Sequence, residues 1–119
     1  MSKINNNIIL IGHLGADPEM QETVNGNKVT RVSIATSYKY RNNKDEMVQS
    51  TEWHRLVAWG AGAEFAHKYL RKGNHVGVLG KINYVSFTAD NGSQRNYTEI
   101  VVDEFKQFDR NGTAKALPF

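Results

Sequence analysis

The chain of 119 residues has no cysteine, which removes disulfide scaffolds, thiolate metal sites and cysteine nucleophiles at once. It also lacks any apolar run of membrane length. The N-terminal stretch MSKINNNIILIGHLG carries only Ile8 to Ile11, too short for a membrane span or a secretory signal core, so a cytoplasmic protein with no membrane partner is expected. Without a secretory route, the sequons at Asn91, Asn96 and Asn111 carry no glycosylation meaning. Its four histidines, His13, His54, His67 and His75, are scattered, with none of the close spacings of a zinc site. No P-loop and no nucleophile elbow is present, although spacing alone does not exclude a hydrolase triad. The expectation is therefore a protein that is not an enzyme and holds neither metal nor cofactor. Charge of one sign is also scarce. Fifteen Lys and Arg against twelve Asp and Glu leave only +3, so the placement of charges has to carry any argument about an anionic partner.

What is present is ordinary globular material, 39% hydrophobic and 23% charged, in one domain expected over residues 1–109 with a short tail at 110–119. No internal repeat or low-complexity tract interrupts it. Residues 4–14 read as a strand that stops at the Asp17-Pro18 turn. An Asn-Gly turn in VNGNK leads to a second strand over 28–37, with Val32, Ile34 and Thr36 on one face. The polar stretch 38–49 reads as a long exposed hairpin loop before a third strand at 51–59. After Gly60 the spacing of Ala63, Phe65, Ala66, Tyr69 and Leu70 is helical, and RKG at 71–73 ends the helix. Strands at 75–87 and 95–108 flank the turn ADNGS. Three strands, a helix and two strands make an all-β fold with one short helix. That order is the arrangement of the five-stranded Greek-key OB-fold barrel, with long β-hairpin loops.

TEWHRLVAW at 51–59 holds both tryptophans. Alternation puts Trp53, Arg55, Val57 and Trp59 on one face and Glu52, His54, Leu56 and Ala58 on the other. An arginine between two indoles argues against a core-facing surface, because a buried charge without a partner is costly. At about 3.3 Å per residue the two indoles stand roughly 20 Å apart, too far to clamp one planar group between them. Elsewhere, Lys39, Tyr40 and Arg41 sit at the base of the polar loop, while Tyr84, Phe87, Arg95 and Tyr97 flank the second hairpin turn. Rings beside cations suit single-stranded nucleic acid, whose bases stack and whose phosphates need a basic track. Plain packing explains others more simply. Tyr69 reads as core at helical spacing from Phe65, Phe105 and Phe108 as core or subunit contact, and Tyr84 and Tyr97 equally well as cross-strand partners. Lys68, Arg71 and Lys72 read as a solvated helix end, and Glu99, Asp103 and Glu104 as solvated charges. His54 lies on the inward side with Leu56 and Ala58.

NIILIGHLGADPE, VSIATS, TEWHRLVAWG, YLRKG and TEIVV together resemble, in order and spacing, the bacterial replicative-type single-stranded DNA-binding proteins. The resemblance covers about residues 4–108. It implies an OB-fold protomer, a homotetramer, and sequence-tolerant binding and protection of single-stranded DNA in replication, recombination and repair. On this chain the family's stacking aromatics fall on Tyr40, Trp53, Trp59 and Phe87. Its basic contacts fall on Arg55, Arg71, Lys72 and Arg95, and its interface histidine on His54. Lys39 and Arg41 complete the expected phosphate contacts.

Two departures stand out. The strand before Phe87 reads KINYVSF, poorer in cations than is common in relatives. Relatives also continue through a linker to an acidic tip ending in Pro-Phe. Here residues 110–119 hold no acid, yet end in Leu117, Pro118 and Phe119, a candidate tip for recruiting replication or repair proteins. The alternatives are a primosome-type OB-fold dimer that bridges replication proteins, and a barrel whose aromatics form a protein interface.

Overall fold

A computed structural model describes residues 5–108. Six strands and one helix follow in the order β1 (Ile8–Leu14), β2 (Glu19–Glu22), β3 (Lys28–Arg41), β4 (Met47–Trp59), α1 (Ala61–Tyr69), β5 (His75–Thr88) and β6 (Gln94–Gln107). The sheet runs β1-β5-β6-β4-β3-β2, and an additional β1–β3 pairing at His13↔Ala35 and Leu14↔Ile34 closes it. Strands β1, β3, β4, β5 and β6 form the expected five-stranded barrel, and β2 is a short ribbon on the outer edge of β3. The β4–β6 seam is the one parallel contact, at Leu56↔Ile100 and Val57↔Val101.

Alternation fills the interior with Val32, Ile34, Leu56, Ala58, Val76, Val78 and Ile100, and Leu70 and Phe105 close the ends. Closing so small a barrel brings backbones into contact at two glycines. A Cβ on Gly12 would stand 2.0 Å from the Ala35 carbonyl oxygen, and one on Gly80, at the register shift in β5, 2.4 Å from the Val101 oxygen. Only glycine tolerates such approaches. The helix buries its small residues Ala63 and Ala66 against the barrel. Buried Thr30 on β3 donates its hydroxyl to the Ala63 carbonyl at 2.9 Å, and Lys28 pairs with Glu64 at 2.5 Å. Arg71 caps the far end of the helix by donating through one guanidinium nitrogen to the carbonyls of His67 and Leu70.

Several sequence expectations change. The stretch 38–49 is not a loop. Strand β3 runs on to Arg41 and β4 begins at Met47, paired residue by residue, so only residues 42–46 turn. This arm projects past the barrel with water on both faces, and no hydrophobic period marks it as strand. Strand β1 starts at Ile8, residues 5–7 are not strand and residue 4 lies outside the described residues, while the Asn6 amide takes the next place in the ladder, exchanging two hydrogen bonds of 3.0 Å with the backbone of Ile82. The ribbon β2, with sequence EMQE, has no apolar alternation and is held by backbone pairing. Tyr69 is exposed rather than core, with its ring tilted against Phe65 at a centroid distance of 5.2 Å. Phe105 is buried as expected. On the outer face of β1, Ile9 and Ile11 are exposed, and at its end His13 stacks on its cross-strand partner His75 at 4.7 Å.

Candidate nucleic-acid interface

Register fixes what shares a face with the two tryptophans. Across β3 and β4 the opposed pairs are Ala35↔Trp53, Ser33↔Arg55, Arg31↔Val57 and Val29↔Trp59. Trp53 is 62% exposed and Trp59 47%, while Leu56 and Ala58 on the other side are buried. The indoles are surface, as Arg55 between them requires. Trp53 lies over the backbone of Gly15, where a Cβ would come within 2.5 Å of its six-membered ring. That backbone is itself fixed by the Gly15 amide donating to the Ser33 carbonyl at 2.9 Å.

Strand β6 enters this face from the other side. The Arg55 guanidinium sits over the Tyr97 ring, 5.2 Å from its centroid. Tyr97 in turn meets Phe87 edge-on at 5.9 Å, and Arg95 is the cross-strand partner of Phe87. Arg55, Tyr97 and Phe87 therefore form a chain of contacts from β4 across β6 to β5, and Trp53 stands two residues from Arg55 on the same β4 face. Beside it lies a groove of about 520 Å³ lined by Arg31, Ser33, Arg55, Tyr97 and Glu99 and by the segment carrying Ala16, Asp17 and Glu19. Among the described residues the ion pairs are Lys28–Glu64 and Arg41–Asp45, so Arg31 and Arg55 keep their charge for a ligand. No three His, Asp or Glu side chains among those residues group to hold a metal ion. No helix among the described residues is long and apolar enough to cross a membrane.

Over residues 5–108 the chain matches the Single-strand binding protein family. It belongs to that family. It is 43% identical over 102 residues to a single-stranded DNA-binding protein of Xylella fastidiosa, covering 85% of this chain and 62% of that one. It is 38% identical over 107 residues to one of Xanthomonas campestris pv. campestris, covering 90% and 62%. The chain thus spans less than two thirds of the length of these relatives. Among solved structures it is similar to a Plasmodium falciparum SSB in complex with ssDNA, at TM-score 0.83 and 31% identity over 92% of this chain and 99% of that one. A deletion mutant of the Thermus aquaticus single-stranded DNA binding protein, at TM-score 0.80 and 23% identity over 92% and 53%, shares the fold.

Within this family member, the expected site residues divide. Trp53, Arg55, Phe87 and Arg95 are brought onto one track, and Trp59 lies farther along the same β4 face. Lys39 and Arg41 share that face by alternation, but Arg41 spends one guanidinium nitrogen on the Asp45 carboxylate and carbonyl of its own turn. Tyr40 points to the opposite face of the arm, with Tyr38 5.9 Å away. Arg71 is committed in part to capping the helix. Lys72 is exposed, and its backbone amide donates to Asp17 at 2.8 Å. His54 is half-buried beside Thr36, with its Nε2 2.8 Å from the hydroxyl. Leu117, Pro118 and Phe119 lie outside the described residues. From the sequence Tyr97 reads equally as a stacking ring and as a cross-strand partner, and Arg31 is not singled out. Their places beside Arg55 and the groove depend on the β4–β6 seam and on β2, neither of which has a local sequence signal.

Proposed function

We propose that the protein binds single-stranded DNA with little regard to sequence, without catalysis, stacking bases on Trp53, Tyr97, Phe87 and Trp59 while Arg55, Arg31, Lys39 and Arg95 neutralise phosphates. The observation that carries this reading is the chain of contacts from Arg55 through Tyr97 to Phe87, with exposed Trp53 beside Arg55 on the same β4 face. It offers alternating flat faces and positive charge, as a flexible polyanion with exposed bases requires. The names of the relatives and the ssDNA bound to the Plasmodium SSB point the same way. Tyr40, with Tyr38, would stack bases as the strand passes round the arm, and Arg41, Arg71 and Lys72 would touch its phosphates with the donors they have left.

Such a protein would protect single strands during replication, recombination and repair in the cytoplasm. It would act as a homo-oligomer, a tetramer in the family pattern, with His54 at a subunit contact. The exposed Ile9 and Ile11 suit a further contact with a second copy. Leu117, Pro118 and Phe119 would serve as a tip for partner proteins.

The test is a titration of tryptophan fluorescence with oligothymidines of increasing length, joined to a mass measurement of the free protein and the complex. Quenching that saturates, weakens steeply with salt and accompanies a tetrameric mass supports the reading. Absence of quenching at low salt with long oligothymidine sinks it, and a dimeric mass overturns the tetramer.

A further inference from the structure

Resting on that reading, we infer that Glu99 reads base identity, favouring a base with an exocyclic amino group over thymine at one position on each subunit. A carboxylate in a groove meant for a polyanion is a liability unless it has a task, and three acids line this one. Two are accounted for. Asp17 accepts the Lys72 amide at 2.8 Å and so ties its segment to the turn after the helix. Glu19 is exposed on the outer ribbon β2, where water screens its charge. Glu99 has neither a cation nor a backbone amide. Its Oε1 accepts a single hydrogen bond of 3.2 Å from the side-chain amide of Asn83, its cross-strand partner. That bond orients the carboxylate without neutralising it.

Position gives the carboxylate a ligand. Glu99 is two residues from Tyr97 on the same face of β6, half-buried in the groove that the Tyr97 ring and Arg55 also line. A phosphate beside Glu99 would be repelled, so the strand must turn a base edge toward it and its phosphates toward Arg55 and Arg31. An ionised carboxylate only accepts hydrogen bonds. Guanine offers N1–H and its 2-amino group together, cytosine and adenine offer one amino group each, and thymine offers only N3–H. The expected order is guanine first, cytosine and adenine next, thymine last. A good contact of this kind discriminates by about fivefold or more.

The experiment compares oligothymidine of about 10 nucleotides, near the span of one OB-fold, with the same oligomer carrying one central dG. The wild type, Glu99→Gln and Asn83→Ala are each titrated by tryptophan quenching. The strand is free to slide, so one dG finds the site. The expected result is wild-type preference for the dG oligomer of about fivefold, lost in Glu99→Gln. That variant should also bind plain oligothymidine more tightly, because a negative charge has left the groove. Asn83→Ala, which keeps the charge and releases its orientation, should show a reduced preference. Equal wild-type affinity for the two oligomers, or a preference that persists in Glu99→Gln, overturns the inference and leaves the DNA-binding reading standing. Failure to bind either oligomer overturns both.

Discussion

The guanidinium of Arg55 rests on the ring of Tyr97, 5.2 Å from its centroid, although their strands pair at only two positions farther along. The contact ties the β3–β4 half of the proposed track to the β5–β6 half. It also holds both side chains in place before any ligand arrives, which lowers the ordering cost of binding. Arg55→Ala and Tyr97→Leu should each weaken binding to oligothymidine by about 1–3 kcal/mol, the range of one stacked base. Together they should cost less than the sum, by about 0.5–1 kcal/mol, since each single change already breaks the cation–π pair. A double-mutant cycle by fluorescence titration measures this. Strict additivity would mean that the pair is not coupled in binding.

Trp53 depends on a missing side chain. A Cβ on Gly15 would press on the end of its ring, and the ring is free to swing outward because it is mostly exposed. Gly15→Ala should therefore leave the thermal midpoint close to that of the wild type while weakening binding by up to about 1–3 kcal/mol. In a Trp59→Phe background, where Trp53 is the sole tryptophan, the shift should appear as altered quenching at saturation.

These dependencies differ in how visible they are from the sequence. The faces of β3 and β4 within the barrel were legible because Val32, Ile34, Leu56 and Ala58 alternate, and the exposure of Trp53 followed from Arg55 two residues on. The arm beyond was not legible. Tyr38, Lys39, Tyr40 and Arg41 have solvent on both sides, so no burial pattern distinguishes strand from loop, and the face of Tyr40 can be counted only once the strand is known to reach it. The helical spacing of Phe65 and Tyr69 was right, yet both rings can touch while one stays in water. Pairing of β6 with β4 joins distant segments, and nothing local in RNYTEIVV announces that Tyr97 will meet Arg55.

Thr30 tests the link between barrel and helix apart from the site. Its hydroxyl is buried and donates to the Ala63 carbonyl. Thr30→Val keeps the shape and removes the donor, so it should lower unfolding free energy by about 1–3 kcal/mol. Affinity for oligothymidine measured well below the midpoint should not change. Denaturant titration gives the first quantity and fluorescence the second.

Acid should act through His75. Burial first, and the charge of stacked His13 second, hold its imidazole below the ordinary value of 6.5. A base with a lowered folded pKa binds protons more readily when unfolded. Its contribution to stability is therefore complete above about pH 6.5 and is lost as pH falls through the folded value. His13→Gln removes the second cause. The NMR titration of His75 should move upward in that variant, and its thermal midpoint should fall less than that of the wild type between about pH 7.5 and about pH 5. An unchanged His75 titration would count against the coupling.

The turn at residues 42–46 has a consequence for engineering. Asn42 closes it, donating its backbone amide to Glu46, accepting that of Asp45 and accepting the amides of Lys44 and Glu46 on its side chain, and Arg41 holds Asp45 from the strand end. The tip borrows nothing from the barrel. Lengthening β3 and β4 by two residues each would extend the arm by about 6–7 Å with every face preserved. A one-residue extension of each would turn the tip over instead. Reach along a polymer is thus adjustable in this protein in whole steps, without any change to the folding unit that carries it.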